Sequence, residues 1–210
     1  MRSNKKLLAR AKVYLILDAQ VLDHSALLQV LKDTVRGGID IVQLRDKKSS
    51  AKEILEFCSK ALKITKHQVP LIVNDRADLG ILSGADGLHV GQEDLSYLQA
   101  RKMMGRGKIV GVSCQTIAQA LKAQDQGADY IGFGSVFSTQ TKPDRQPMDL
   151  DLLKMVLKRV TIPVFPIGGI SRESIGRLIP LGIKRVAVCR DILLAKDAKQ
   201  AVIEFKNSLD

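Results

Sequence analysis

Short apolar runs recur along this chain, and amphipathic stretches separate them. The runs cover residues 13–17, 39–44, 70–73, 87–90, 109–112, 130–133, 163–167 and 185–188. Each is too short for an ordinary helix. Most are apolar on both faces, as a strand covered on both sides of a parallel sheet must be. The stretch 25–35 carries Leu27, Leu28 and Leu31 at helical spacing, and 51–66 carries Ile54, Leu55, Cys58, Leu62 and Ile64. Stretches 116–126, 150–159, 172–181 and 195–208 behave similarly. Gly37-Gly38, Gly84, Gly127 and Gly182 stand where several of these helices would end, as C-terminal caps do.

Eight strand-helix units predict an α/β fold, a single (β/α)8 TIM barrel with residues 1–210 as one catalytic domain. The alternative is an open doubly wound sheet, which would gather ligands at a topological switch point and not at all the strand ends. No linker, low-complexity segment or repeat beyond the βα period interrupts the pattern.

Composition narrows the partners. The chain has 210 residues, enough to bury a substantial core, and its 45% hydrophobic and 26% charged content fits a soluble globular protein. It has no Trp and only 4% aromatic residues, so the core is expected to be aliphatic. No apolar run reaches the roughly 18–20 residues of a membrane span. The basic residues 1–12 lack a sustained apolar core, so a secretory signal is not expected. Cys58, Cys114 and Cys189 lie far apart, without metal-ligand spacing, which fits a reducing cytoplasm. The net charge of +11 would suit nucleic acid. The Lys and Arg residues are spread over the whole chain, however, and the aromatic platforms of single-strand binders are missing. Small phosphorylated anions are the expected partners, with neither nucleic acid nor membrane; a homo-oligomer stays open.

Polar residues follow three of the runs directly. Asn74-Asp75 follows 70–73, the segment after 87–90 ends at Asp94, and Gln43-Leu44-Arg45-Asp46-Lys47 overlaps the end of 39–44. Barrel enzymes keep their chemistry at such strand ends. Asp75 and Asp94 offer hard oxygen donors to a divalent cation, and Arg45 and Lys47 offer cations to a phosphate. Strand alternation points Gln43, Arg45 and Lys47 the same way. Together they suggest an enzyme acting on a metal-bound phosphate ester. Blander readings stand beside this one. Either Asp could cap the following helix, Lys47-Lys48 could be a solvated pair, and Gly168-Gly169 could be a simple turn and not a phosphate cradle.

Together the strand-end blocks resemble one family, thiamine phosphate synthase. The matching pieces are residues 14–18, 38–47, 71–76, 84–94, 111–113, 127–134 and 163–170, with Thr139-Gln140-Thr141-Lys142. The resemblance implies a (β/α)8 barrel that joins hydroxymethylpyrimidine diphosphate to a thiazole phosphate, with Mg2+, releasing diphosphate. It implies Asp75 and Asp94 as Mg2+ ligands. Arg45, Lys47 and Lys142 would bind the diphosphate, and with Ser113 they form the expected catalytic set. Gln43, Asn74 and Ser113 would orient the pyrimidine diphosphate. Leu44 and Asp46 enter the substrate-binding set as part of the same block. Thr139, Gln140, Thr141, Gly169, Cys189 and Arg190 would meet the thiazole phosphate. The implied mechanism is dissociative, and His89 would be structural.

Two positions depart from the family pattern. Arg190 stands where a Ser is usual, and Gln115 stands where many members have His. A related thiazole tautomerase uses a His near position 115 and matches the metal and diphosphate motifs poorly. It remains the alternative, with a non-catalytic phosphate-binding barrel as another.

Overall fold

The computed structural model of the chain describes residues 4–141 and 146–210. Strands β1 (Val13–Asp18), β2 (Ile41–Arg45), β3 (Leu71–Asn74), β4 (Gly87–Val90), β5 (Ile109–Cys114), β6 (Tyr130–Phe133), β7 (Val164–Pro166) and β8 (Val186–Val188) form one parallel sheet. Their order is β7-β6-β5-β4-β3-β2-β1-β8. A parallel bridge between Ile167 and Ala187 joins the two ends and closes the barrel. Each expected apolar run holds one strand, so the barrel and not the open sheet is the fold.

Alternation along the strands divides the core in two. Leu15, Leu17, Val42, Leu44, Val73, Leu88, Val112 and Phe133 belong to the outer cluster under the helices. Tyr14, Ile16, Ile41, Ile72, Ile109, Tyr130, Phe165 and Ala187 form the inner cluster. Side chains one residue apart on a strand face opposite sides, so each run supplies both layers. The outer layer is largely aliphatic as expected, with Phe57, Tyr97, Phe133 and Phe205 as its buried aromatics. The inner layer is not: Tyr14, Tyr130 and Phe165 meet edge to face, with ring centroids 5.4–5.6 Å apart. Gly111 lies beside Tyr130 in register, and a Cβ there would stand 2.1 Å from Tyr130 Cζ. The glycine makes room for the ring.

Helices cover the outside. They are α1 (Asn4–Arg10), α2 (His24–Arg36), α3 (Ala51–Thr65), α4 (Ala77–Leu82), α5 (Tyr97–Met104), α6 (Ile117–Asp125), α7 (Leu150–Arg159), α8 (Arg190–Leu193) and α9 (Ala198–Ser208). Ser50–Glu53, Ser96–Gln99 and Thr116–Gln119 form capping boxes that start α3, α5 and α6. The helix expected over 172–181 is two short 3-10 turns, Ile175–Arg177 and Ile179–Leu181. Pro180 lacks an amide N–H and its ring crowds the preceding turn, so a continuous helix cannot run through it.

α1 precedes the barrel and seals its lower end. Leu8 and Ala11 pack on the inner cluster. Arg185 Nη1 donates to the Leu8 carbonyl at 2.7 Å, and its guanidinium lies 5.5 Å from the Phe165 ring centre. At the opposite end, Asp46 anchors the turn after β2. It accepts from the Lys48 and Ser49 amides, each at 3.0 Å, and bonds His24 Nε2 at 2.7 Å. Burial alone would raise this carboxyl. The Ser49 and Lys48 amides, the Ser49 hydroxyl and His24 outweigh burial and hold it at about 2.

Two outcomes are expected. Leu8→Ala should cost about 2–5 kcal/mol of unfolding free energy, because it opens a cavity against the barrel floor. Urea denaturation measures this, and a loss near zero would show that α1 is not part of the core. For Asp46 the folded pKa lies below the ordinary value, so its contribution is full above about pH 4 and fades as pH falls through about 2. Asp46→Asn should therefore melt earlier than the unsubstituted protein at neutral pH, with the gap narrowing across that acid window in a thermal scan.

Candidate active site

A cavity of about 550 Å³ lies at the C-terminal ends of the strands. That is the size of a small-molecule site. Its walls come from successive strand ends: Gln43 and Arg45 from β2, Asn74 from β3, His89 from β4 and Ser113 from β5. Thr139, Gln140, Thr141, Gly168, Gly169, Cys189 and Arg190 complete the far side. Inward alternation explains the near side, since Gln43 and Arg45 share a strand face.

The same alternation corrects two expectations. Leu44 is buried in the outer cluster under the helices. Asp46 is buried too, occupied by His24 and the turn amides. Neither lines the cavity. A one-residue step along a strand reverses the side chain, so Leu44 and Asp46 cannot share the face of Gln43 and Arg45. Lys142 lies outside the described residues.

Arg45 is held before any ligand arrives. Its Nη1 donates to Asp18 Oδ2 at 2.9 Å, to Asp18 Oδ1 at 3.1 Å and to Gln20 Oε1 at 2.6 Å. Asp18 is fully buried at the end of β1. Arg45 Nη2 and Nε take no part in these bonds, which leaves donors for an anion. The sequence reading did not single out Asp18, although a carboxylate closing an apolar strand was a signal that could have found it.

The two candidate metal ligands lie together, just beyond the cavity lining. Asp75 follows Asn74 directly and has φ 61°, a left-handed conformation that Asp tolerates better than most residues. Lys47 Nζ donates to Asp75 Oδ2. Asp94 Oδ2 accepts from the Gly91 amide at 2.9 Å. Burial raises the Asp94 carboxyl, and the neighbouring Asp75 carboxylate raises it further, while Lys47 pulls it down. Neither Asp is a helix cap. Ser96 caps α5, and the N-terminal residue flanking α4 is Arg76, which makes no side-chain cap bond. Two adjoining hard carboxylates, not used elsewhere as caps, suit a cation that also takes water and phosphate oxygens. Among the described residues no cluster of three or more metal-type side chains occurs.

A line of side chains crosses the cavity floor. Gln43 Nε2 donates to Tyr14 Oη at 2.5 Å. Tyr14 and Tyr130 hydroxyls lie 2.7 Å apart. Tyr130 Oη is 3.0 Å from His89 Nδ1, and His89 Nε2 is 2.8 Å from Ser113 Oγ. Burial pushes both phenols far above their ordinary pKa, so they stay protonated. The sequence reading assigned Tyr14 and Tyr130 no role. Their mark was a polar tip inside an apolar strand.

At the far side, Arg172 Nε donates to Asp191 Oδ2 at 2.8 Å and Nη1 to Glu204 Oε2 at 3.1 Å. This ties the loop after β7 to α8 and α9. Arg190, next to Asp191, lines the cavity with no ion pair among the described residues. Burial pushes the Cys189 thiol up to about 12, so it is no nucleophile at neutral pH. Gly168 has φ 104° and Gly169 φ 63°, and a Cβ on Gly168 would lie 2.1 Å from Ser135 Oγ. Only glycine fits there.

No helix among the described residues is long and apolar enough to cross a membrane. The family model for thiamine monophosphate synthase matches residues 13–192. A thiamine-phosphate synthase of Alkaliphilus oremlandii is 41% identical over 198 residues, covering 94% of this chain and 95% of the relative. One from Clostridium acetobutylicum is 40% identical over 189 residues, covering 90% of each. A solved thiamine phosphate pyrophosphorylase from Pyrococcus furiosus is 28% identical, superposes with a TM-score of 0.86 and is covered to 97% on both sides. The match spans all the strands and the cavity they surround, and this chain belongs to the thiamine monophosphate synthase family.

Proposed function

We propose that the cavity at the strand ends is where this chain carries out the reaction of its family. Thiamine-phosphate synthases are transferases of thiamine biosynthesis. They condense a pyrimidine diphosphate with a thiazole phosphate, and this chain is such a transferase. One observation carries the placement. Anion-binding, amide and hydroxyl groups of β2, β3 and β5 line a single cavity, with a carboxylate pair beside it.

Arg45 and Lys47 meet the diphosphate, with Ser113 donating to it and Lys142 completing the set. As the C–O bond breaks, charge builds on the leaving diphosphate, so fixed donors stabilise the transition state more than the ground state. Asp18 keeps Arg45 in place, which removes the need to reorganise it during the step. Asp75 and Asp94 would hold Mg2+, which would supply positive charge to the leaving diphosphate. Lys47, which donates to Asp75, would supply a further cation to the diphosphate. Gln43 and Asn74 present amide donors and acceptors to the aminopyrimidine edge. The bond breaks dissociatively and the thiazole nitrogen attacks the exocyclic carbon. No protein nucleophile is required, in keeping with the unreactive Cys189. Thr139, Gln140, Thr141, the Gly169 backbone and Arg190 receive the thiazole phosphate, Arg190 through its planar fork.

The direct test mixes purified protein with both substrates and Mg2+ and follows thiamine phosphate and free diphosphate. Absence of both products would overturn the reading. Asp75→Ala and Asp94→Ala should each abolish Mg2+-dependent turnover with an unchanged circular dichroism spectrum. Unaltered activity in either would remove it from the metal site. Arg190→Ser should raise KM for thiazole phosphate about tenfold or more, as loss of a charge-assisted hydrogen bond implies, with kcat nearly constant. A collapse of kcat instead would place Arg190 in the chemical step.

A further inference from the structure

The five side chains across the cavity floor form one continuous line of hydrogen bonds, and Gln43 suggests a direction along it. Gln43 Nε2 can only donate, and it does so to Tyr14 Oη. Tyr14 Oη accepts from the amide, which leaves its own hydrogen available to Tyr130 Oη, 2.7 Å away. In that direction the Tyr130 hydrogen goes to His89 Nδ1, 3.0 Å away. In the same direction an imidazole that accepts at Nδ1 carries its proton on Nε2, and that N–H faces Ser113 Oγ at 2.8 Å. The Ser113 hydroxyl accepts from below and keeps its hydrogen for the cavity, which it lines.

The surroundings favour this chain. Tyr14, Tyr130, Gln43 and His89 are all buried, where bonds in series polarise one another. Gly111 gives space to the Tyr130 ring, and a Cβ on Gly132 would stand 3.4 Å from His89 Cε1. In the reverse direction Tyr14 Oη would accept from both Gln43 and Tyr130, and its own hydrogen would go to neither.

We propose that Tyr14, Tyr130 and His89 are positioning residues that set Ser113 as a hydrogen-bond donor toward the cavity. Being three strands away from Gln43 along the sheet, Ser113 is linked to it through the barrel interior and not through the rim. The proposal rests on the reading that Ser113 donates to the departing diphosphate.

Two measurements test it. Nitrogen-15 NMR of the folded protein should find His89 in the Nε2–H form, and an Nδ1–H form would overturn the direction. Tyr130→Phe keeps the ring and removes the link. It should lower kcat about tenfold, the worth of one directed hydrogen bond, with both KM values within about twofold. In a Ser113→Ala background the same change should alter kcat by less than about twofold, because the effect acts through Ser113. Tyr14→Phe should show the same pattern. Equal losses in both backgrounds, or no loss in either, would overturn the relay. If Ser113→Ala alone kept the full rate, the placement of Ser113 in the reaction would fall, and with it the relay's effect on rate. The histidine tautomer would still report the relay's direction separately.

Discussion

Two buried phenols in the middle of a barrel constrain everything above them. A hydroxyl taken from water into an apolar interior costs free energy unless it finds a partner. Tyr14 and Tyr130 find each other at 2.7 Å, and then Gln43 and His89. Their rings, with Phe165, fill the volume that aliphatic side chains usually take in such barrels. The packing fixes the rings and the bonds fix the polar ends. The cavity therefore has a floor of mutually hydrogen-bonded side chains, already in place before substrate binds. Gly111 is the enabling residue, since any side chain there would collide with Tyr130.

The walls follow the same logic of prior placement. The fully buried Asp18 holds Arg45 from behind, so the guanidinium faces the cavity without searching for its position. Lys47 rests on Asp75, and Asp75 crowds Asp94. These opposed charges gather at one mouth. The arrangement suits a reaction whose difficulty is charge development on a leaving group, since fixed charges need no reorganisation as the bond breaks. On the opposite side, Arg172 braces the last loops through Asp191 and Glu204, leaving the neighbouring Arg190 for the cavity.

Much of the fold was legible along the chain because strand burial writes itself as short apolar runs. All eight runs hold strands, and the ends shift by only a residue or two at most. Helices α4 and α5 went unread because six and eight residues barely complete two turns, too few to show a period. The stretch 172–181 showed a helical period but held Pro180, and the local constraint of the ring outweighed the pattern. Within the site, the strand-end motif pointed to Gln43, Arg45, Asn74 and Ser113, all of which line the cavity. Leu44 and Asp46 travelled with the motif although strand parity already turned them outward.

By itself the sequence determined which residues lie on strands, which groups stand at their ends, and what chemistry those groups can do, because each depends on near neighbours in the chain. Only the tertiary structure decided which of them share a space. Tyr14 and Tyr130 are 116 positions apart, and nothing local to either announces the other. Closing the sheet into a ring turns every second side chain toward one axis, and that shared interior brings the two hydroxyls together.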